Sequence, residues 1–286
     1  MLQQNQWKHL MIYQKMIKDL NSAANMLEGL DMNSENVLPN QHVVQALLAR
    51  LYLYSEDWTQ AEAMATQLID SHELEDIDKV FLKNSKETLW QLKLGDNPVN
   101  TYEALQLIIA FIPTQGLALT DGLLNTFEPN DLRFEHWTDS ITSEDGLTTL
   151  YYAHKYKATQ NTTTEPEEYP IVFRLAEQYL LRAEARAHLG NIPGAQEDIN
   201  RIRNRAGLDD TSANNKIALI DAIVQERRIE LFTEQGHRWF DLNRWDLSDD
   251  LLAPLKSGWR NTDVLFPIPE VELELNQNLK PQNSGY

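Results

Sequence analysis

Apolar residues near the start of the chain recur at helical spacing. Leu10, Ile12, Met16, Ile17, Leu20, Ala23, Ala24 and Leu27 predict a helix over residues 7–29, with Gly29 as its stop. The polar stretch 30–40, with Pro39 near its end, predicts a loop. Helices are predicted over 41–54 and 58–71, around the turn Ser55-Glu56-Asp57. A second pair is predicted over 171–189 and 193–206, with Gly190-Asn191-Ile192-Pro193 as its turn and Pro193 suited to a helix start. The two pairs align: Ala49 and Ala61 are twelve apart, and so are Ala183 and Ala195. Trp58 then matches Ile192, Tyr52 matches Arg186, and Leu68 matches Ile202. Small residues at these places let antiparallel helices approach closely, the spacing of a tetratricopeptide unit with the rest of its pattern degraded. Two unrelated helical hairpins are the alternative.

Residues 72–170 change character. Gly, Pro, Asn, Thr and Asp accumulate and helical periodicity weakens, with strand-like runs at 87–93 and 148–152. A long irregular insertion in a helical chain is often the functional part. Beyond it, Ile217, Ile220, Val224, Arg227 and Leu231 line one face of a helix predicted over 215–235, and the end of the chain reads as extended and Pro-punctuated. The expectation is a mainly α chain of one domain in three parts: helical repeats over 7–71, an irregular ligand-facing insertion over 72–170, and a C-terminal repeat with its tail over 171–286.

Composition narrows the function. The 286 residues carry a formal net charge of −18, which argues against a nucleic-acid groove and against docking on anionic lipid through a basic patch. There are 0 Cys, so no disulfide, thiolate metal site or Cys nucleophile is present. The sequence shows no signal peptide and no apolar run long enough to span a membrane. It carries no phosphate-binding glycine loop, zinc-protease motif or nucleophile elbow, and its seven His are scattered. No cofactor and no metal are expected. A glycosidase pair cannot be picked out among 43 acidic residues.

The densest chemistry lies at 225–245, where Glu226, Arg227, Glu230, Arg238, Asp241 and Arg244 alternate with Ile, Leu, Phe and Trp. It reads as structural rather than catalytic. Arg227 and Glu230 are i,i+3 partners on a helix, as are Asp241 and Arg244 on the next. Gly236 suits a left-handed helix end. Arg201, Arg203 and Arg205 are further candidate partners for the carboxylates.

These residues are recognisable. Tyr179-Leu180-Leu181-Arg182-Ala183-Glu184-Ala185, the run from Ile199 to Leu208, Glu226-Arg227-Arg228-Ile229-Glu230-Leu231, the run from Gly236 to Trp245, and the end from Phe266-Pro267-Ile268-Pro269 to Tyr286 come in that order. Residues 46–70 and Asp131-Leu132-Arg133 add to them. Together they resemble the C-terminal part of the SusD/RagB family of nutrient-binding outer-membrane lipoproteins of Bacteroidetes. Family members are longer and begin with a lipoprotein signal and an acylated Cys, which this sequence does not show; a fragment or a truncated product is expected. The resemblance implies non-catalytic capture of an oligosaccharide or peptide at the cell surface. It also implies handover to a TonB-dependent SusC-like porin, with the insertion presenting the ligand. A helical-repeat scaffold that binds a protein partner and no sugar is the alternative.

Sugar rings stack on flat aromatics and hydrogen-bond amides, so a glycan site needs aromatic side chains off the periodic core. Within the insertion Trp137, Tyr151, Tyr152 and Tyr102 are candidates, with Asn97 and Asn100 beside the last. If Tyr151 and Tyr152 lie on a strand, alternation exposes only one. Trp58, Trp90 and Trp245 are expected to be structural.

Overall fold

The computed structural model describes residues 2–30, 35–95, 100–113, 116–159 and 167–286. The chain divides into two compact units, Met1–Leu231 and Phe232–Tyr286, and the boundary falls inside the part expected to run from 171 to the end.

The first unit is a stack of helices. α1 (Leu2–Met26) is followed by the hairpin α2 (Gln41–Tyr54) and α3 (Trp58–Ser71). A second hairpin, α7 (Leu175–His188) and α8 (Ile192–Arg205), lies against α3 and is followed by α9 (Lys216–Glu230). The alanines singled out by spacing lie where the helices cross. Ala49, Ala61 and Ala65 pack with Leu53, Leu181 and Ala185. Ala183, Ala187 and Ala195 pack with Ile199, Leu219 and Ile223. A Cβ methyl at a crossing keeps the helix axes near the short end of the usual 8–10 Å separation.

Both hairpins turn in the same way. The Asp57 N–H reaches the Tyr52 carbonyl at 2.9 Å and the Glu56 N–H reaches that of Leu53 at 3.1 Å. At the equivalent positions Asn191 reaches Arg186 at 2.9 Å and Gly190 reaches Ala187 at 3.3 Å. This pattern satisfies the last helical carbonyls through one left-handed residue: Glu56 at φ 61° in one turn and Gly190 at φ 82° in the other. Asp57 and Asn191 then cap the following helices by accepting from the Gln60 and Gly194 N–H groups. Trp58 and His188 stack at 3.9 Å between centroids.

The insertion leaves this stack and returns to it at one place. β1 (Thr88–Gln91) pairs antiparallel with β4 (Ile171–Arg174), and the Leu92 N–H bonds the Pro170 carbonyl at 2.9 Å. The helix expected from 171 therefore starts at Leu175, because the run Ile171-Val172-Phe173 after Pro170 is extended and pairs with Trp90 and Gln91. Between the paired strands lie α4 (Tyr102–Leu107), α5 (Asp121–Leu124), α6 (Leu132–Trp137) and a hairpin of β2 (Thr138–Thr142) and β3 (Thr149–Ala153). The helix expected over 215–235 ends at Glu230. Thr233 and Gln235 have positive φ, and left-handed Gly236 opens the next helix rather than closing this one.

A buried ion network pins the insertion to the helices. Asp131 caps α6 by accepting from the Arg133 N–H, and its carboxylate also takes Arg133 Nε at 2.9 Å and Nη2 at 2.8 Å. Arg133, fully buried, reaches across to Glu226 at 2.5 Å and Glu230 at 3.1 Å on α9. Glu230 is also held by Arg174 of β4 at 2.6 Å and by Arg205 of α8. Glu87 bridges the same two arginines at 3.0 and 2.5 Å. Lys155 donates to the Glu230 carbonyl at 2.8 Å. Four cations thus face four carboxylates, all nearly or wholly out of water. The i,i+3 reading of α9 paired Arg227 with Glu230, whereas Glu230 is held by Arg133 and Arg174, from distant elements, and by Arg205; of the partners expected from α8, Arg205 is present and Arg203 lies 3.5 Å from Glu226. Arg227 is buried on the same helix at 2% exposure.

The two α9 carboxylates respond oppositely. Burial would push Glu230 up, but Arg205, Arg174 and Arg133 together outweigh it and hold its pKa far below the usual range. For Glu226 burial prevails over Arg133 and pushes its pKa up.

The second unit contains α10 (His237–Arg244), α11 (Ser248–Leu252) and α12 (Glu270–Leu275), the last breaking the extended tail expected there. The Asp241–Arg244 pair expected from spacing is present at 2.8 Å. Trp239 packs against Trp259 and Phe266 at 6.3 and 5.3 Å between centroids.

Two tests follow from this architecture. Gly190→Ala places a Cβ at a left-handed position and is expected to lower the unfolding free energy by about 1–2 kcal/mol. Glu56→Ala, where a Cβ is already present, should stay within about 0.5 kcal/mol; equal losses in denaturant titrations would contradict the shared turn geometry. In the network, Glu230→Gln is expected to cost about 3–5 kcal/mol at neutral pH, because three guanidinium groups lose their shared anion. Glu226→Gln should cost less than about 1 kcal/mol, since burial already disfavours its charge. Glu230 has a depressed folded pKa, so its contribution is complete above the unfolded value of about 4.3 and is lost as pH falls below it. Wild type and Glu230→Gln should therefore converge in melting temperature in acid; parallel curves down to low pH would refute the assignment.

Candidate functional site

The β2–β3 hairpin sets the outward face of the insertion. Its register places Ser140 opposite Tyr151 and Asp139 opposite Tyr152. Successive side chains on a strand point to opposite faces, and the two tyrosines separate accordingly. Tyr152 is turned inward at 7% exposure and its hydroxyl donates to Asp139 at 3.0 Å. Burial, then that carboxylate, push its pKa up. Tyr151 is half-buried and presents its ring beside Phe134, 5.9 Å between centroids, and Phe134 in turn meets Phe127 edge-on at 5.5 Å. The Leu119 N–H donates to the Tyr151 carbonyl at 2.7 Å, so the segment before α5 lies along the edge of β3. Phe127, Phe134 and Tyr151 thus form a row of rings along the insertion, with Phe134 37% exposed. His154 follows β3, 3.9 Å from Asp139, and burial holds its pKa down in spite of that neighbour.

Trp137 is a core residue. It is 1% exposed, and its indole N–H donates to the Ile77 carbonyl at 2.9 Å. Lys155, Arg174 and Arg205 lie 4.7, 5.7 and 5.9 Å from its ring. Three cations around one indole make the ring part of the ion network, because its negative face attracts each of them. A sugar has no access to it. The physical reason is the phase of α6: Arg133 and Trp137, four residues apart, share the inward face. Phe134 turns outward instead. Asp131 and Arg133 were the signal that could have fixed this phase, since a capping Asp with an inward Arg orients the turn that follows.

Tyr102 stands at the start of α4, after the capping Thr101, and is 60% exposed. Asn100 is buried and its side-chain oxygen accepts from the Glu167 N–H at 3.1 Å, tying two parts of the insertion together. Asn97 lies outside the described residues. Glu226 and Glu230 belong to the network of the first unit, whereas Asp241, Arg244 and Arg238 belong to the second unit. Trp58 and Trp90 pack on His188 and Phe173, and the Trp245 ring carries the Arg244 guanidinium at 4.0 Å. A separate cleft of about 400 Å³ is lined by residues that include Asn36, Asn40, His42 and His72, and by none of the sequence candidates. Among the described residues no group of His and acidic side chains is arranged to hold a metal ion, and no helix is long and apolar enough to cross a membrane.

Comparison with known proteins places this architecture. The SusD family model matches residues 98–259. SusD-like protein P2 of Formosa agariphila is 32% identical over 171 residues, covering 54% of this chain and 33% of that protein. The starch-binding protein SusD of Bacteroides thetaiotaomicron is 32% identical over 163 residues, covering 52% and 28%. The matched stretches thus span a third or less of these relatives' length. Among solved structures, a SusD-like protein from Bacteroides fragilis superposes with a TM-score of 0.77 at 22% identity, covering 96% of this chain and 71% of the other. Surface glycan-binding protein A from Bacteroides uniformis does so with a TM-score of 0.73 at 20% identity, covering 96% and 68%. The family model covers more than half of the sequence, and the helical fold agrees with these structures: the chain belongs to the SusD family.

Proposed function

We propose that this chain binds an oligosaccharide on the outward face of the insertion and turns it over to no product. The observation that carries this reading is the row Phe127–Phe134–Tyr151, aromatic rings set off the helical core and backed by a rigid buried network. A flat ring that is already ordered loses little entropy when the apolar face of a sugar stacks on it. Tyr102 adds a second exposed aromatic on the same insertion. The names of the relatives support the same chemistry, one being a starch-binding protein and others surface glycan-binding proteins. Delivery to a TonB-dependent porin at the outer-membrane surface is part of the proposal and rests on family membership. A peptide ligand is the second occupant that the family resemblance allows.

Affinity electrophoresis or calorimetry with a panel of oligosaccharides tests the reading. Tyr151→Ala is expected to weaken binding by about 1–3 kcal/mol, ten- to a hundredfold, if it stacks one ring in the manner of base–aromatic stacking. Trp137→Phe is expected to change melting temperature instead, and to leave the affinity of the folded protein unaltered. Full affinity in Tyr151→Ala would remove the aromatic row from the site.

A further inference from the structure

Arginines in the first unit are paired with acids almost as a rule. Arg50, Arg133, Arg174, Arg182 and Arg205 each hydrogen-bond a carboxylate. Arg228 on α9 departs from this. It is half-buried, and the structure gives it no ion pair and no hydrogen bond among the described residues. Burial alone lowers its pKa, with no anion to offset the cost. The sequence holds 43 Asp and Glu against 25 Lys and Arg, so a half-buried arginine without an acid beside it stands out. Even Asp121, next in sequence to Gly122, makes no pair with it.

The position of Arg228 gives the isolated charge a meaning. Its guanidinium lies against α5, where a Cβ on Gly122 would stand 3.4 Å from Nη2. Gly122 is three residues beyond Leu119, whose N–H is bonded to the Tyr151 carbonyl. Three residues span at most about 10 Å. Arg228 therefore lies against the α5 end of a short segment whose other end is bonded to the backbone of Tyr151, a member of the aromatic row. A guanidinium presents a planar fork of donors that fits carboxylate and sulfate groups in bidentate fashion.

The geometry points to an anionic glycan as the ligand, with Arg228 receiving a carboxylate or sulfate group of a sugar whose neighbouring ring stacks on Tyr151 and Phe134. This rests on the glycan-binding reading above and narrows it to acidic sugars. The net charge of −18 strengthens the discrimination. A polyanion gains nothing from non-specific attraction to such a surface, so retention of one requires a local cation. At physiological salt the distributed surface charges act only over about 8 Å.

Affinity gel electrophoresis distinguishes the outcomes. The acidic probes are polygalacturonate and alginate, which carry carboxylates, and κ-carrageenan, which carries sulfates. The neutral probes are starch, galactan and laminarin. Wild type, Arg228→Gln, Arg228→Lys and Tyr151→Ala are compared, with melting temperatures confirming that each is folded. At least one acidic polymer is expected to retard the wild type, and the class retained identifies carboxylate or sulfate as the group recognised. Arg228→Gln should weaken that retention about tenfold or more, Arg228→Lys should keep part of it, and added salt should reduce it. Acidic retention unchanged by Arg228→Gln overturns the inference. Retention by neutral polymers alone, lost in Tyr151→Ala and indifferent to Arg228→Gln, also overturns it while leaving the glycan-binding reading in place. Retention by none of the six overturns both.

Discussion

The joining of the insertion to β4, α8 and α9 depends on one carboxylate. Glu230 is fully buried, and burying an isolated charge is prohibitive unless it is paired on several sides. Its partners come from the insertion, from β4 and from α8, through Arg133, Arg174 and Arg205. Glu230 is not fully paired until all these elements are in place. Ion pairs out of water add little net stability over a well-packed apolar core, because desolvation consumes most of the attraction. What they impose is a single arrangement, since any other would leave a charge stranded. Such a network suits a domain with an irregular insertion that has little hydrophobic periodicity of its own to fix its position.

The helical hairpins show a complementary means of fixing position. There the constraint is steric: alanines at the crossings set the approach, and a left-handed residue followed by a capping Asp or Asn sets the turn. Repetition of both features in α2–α3 and α7–α8 explains why the two hairpins stack in register, with Leu181 and Ala185 received by Ala61 and Ala65. The insertion then departs between β1 and β4, whose pairing closes the excursion at its root.

The helical part was legible because its signals are local. A 3.6-residue period, an Asn or Asp before the first turn and a Gly after the last are written within a few residues of where they act. The insertion was not legible in the same way. Trp137 has the composition of a binding residue, and only the inward phase of Arg133, set by contacts 93 residues away in sequence, shows that it faces the core. Phe134 was passed over for the same reason. The tyrosine pair came nearer, since strand alternation is a local rule, and Tyr151 and Tyr152 divide between the two faces. At 225–245 the density of acids and bases pointed to a buried ion cluster around Glu226 and Glu230, but the helical spacing drew the pair Arg227–Glu230, where the structure gives Glu230 to Arg133, Arg174 and Arg205. That Arg228 has no partner among the described residues is invisible in sequence altogether, because the absence of a neighbour is a property of the fold.

The antiparallel closure of β1 on β4 has a modular consequence. Chain entry and exit sit side by side, joined by the bond from Leu92 to Pro170, and the ion network bolts the excursion down again at Asp131, Arg133 and Lys155. Loops strung between such fixed mountings can be exchanged in length and chemistry without rebuilding the helical frame beneath them. With the ligand on the insertion, as proposed, specificity becomes an interchangeable fitting on an unchanged frame.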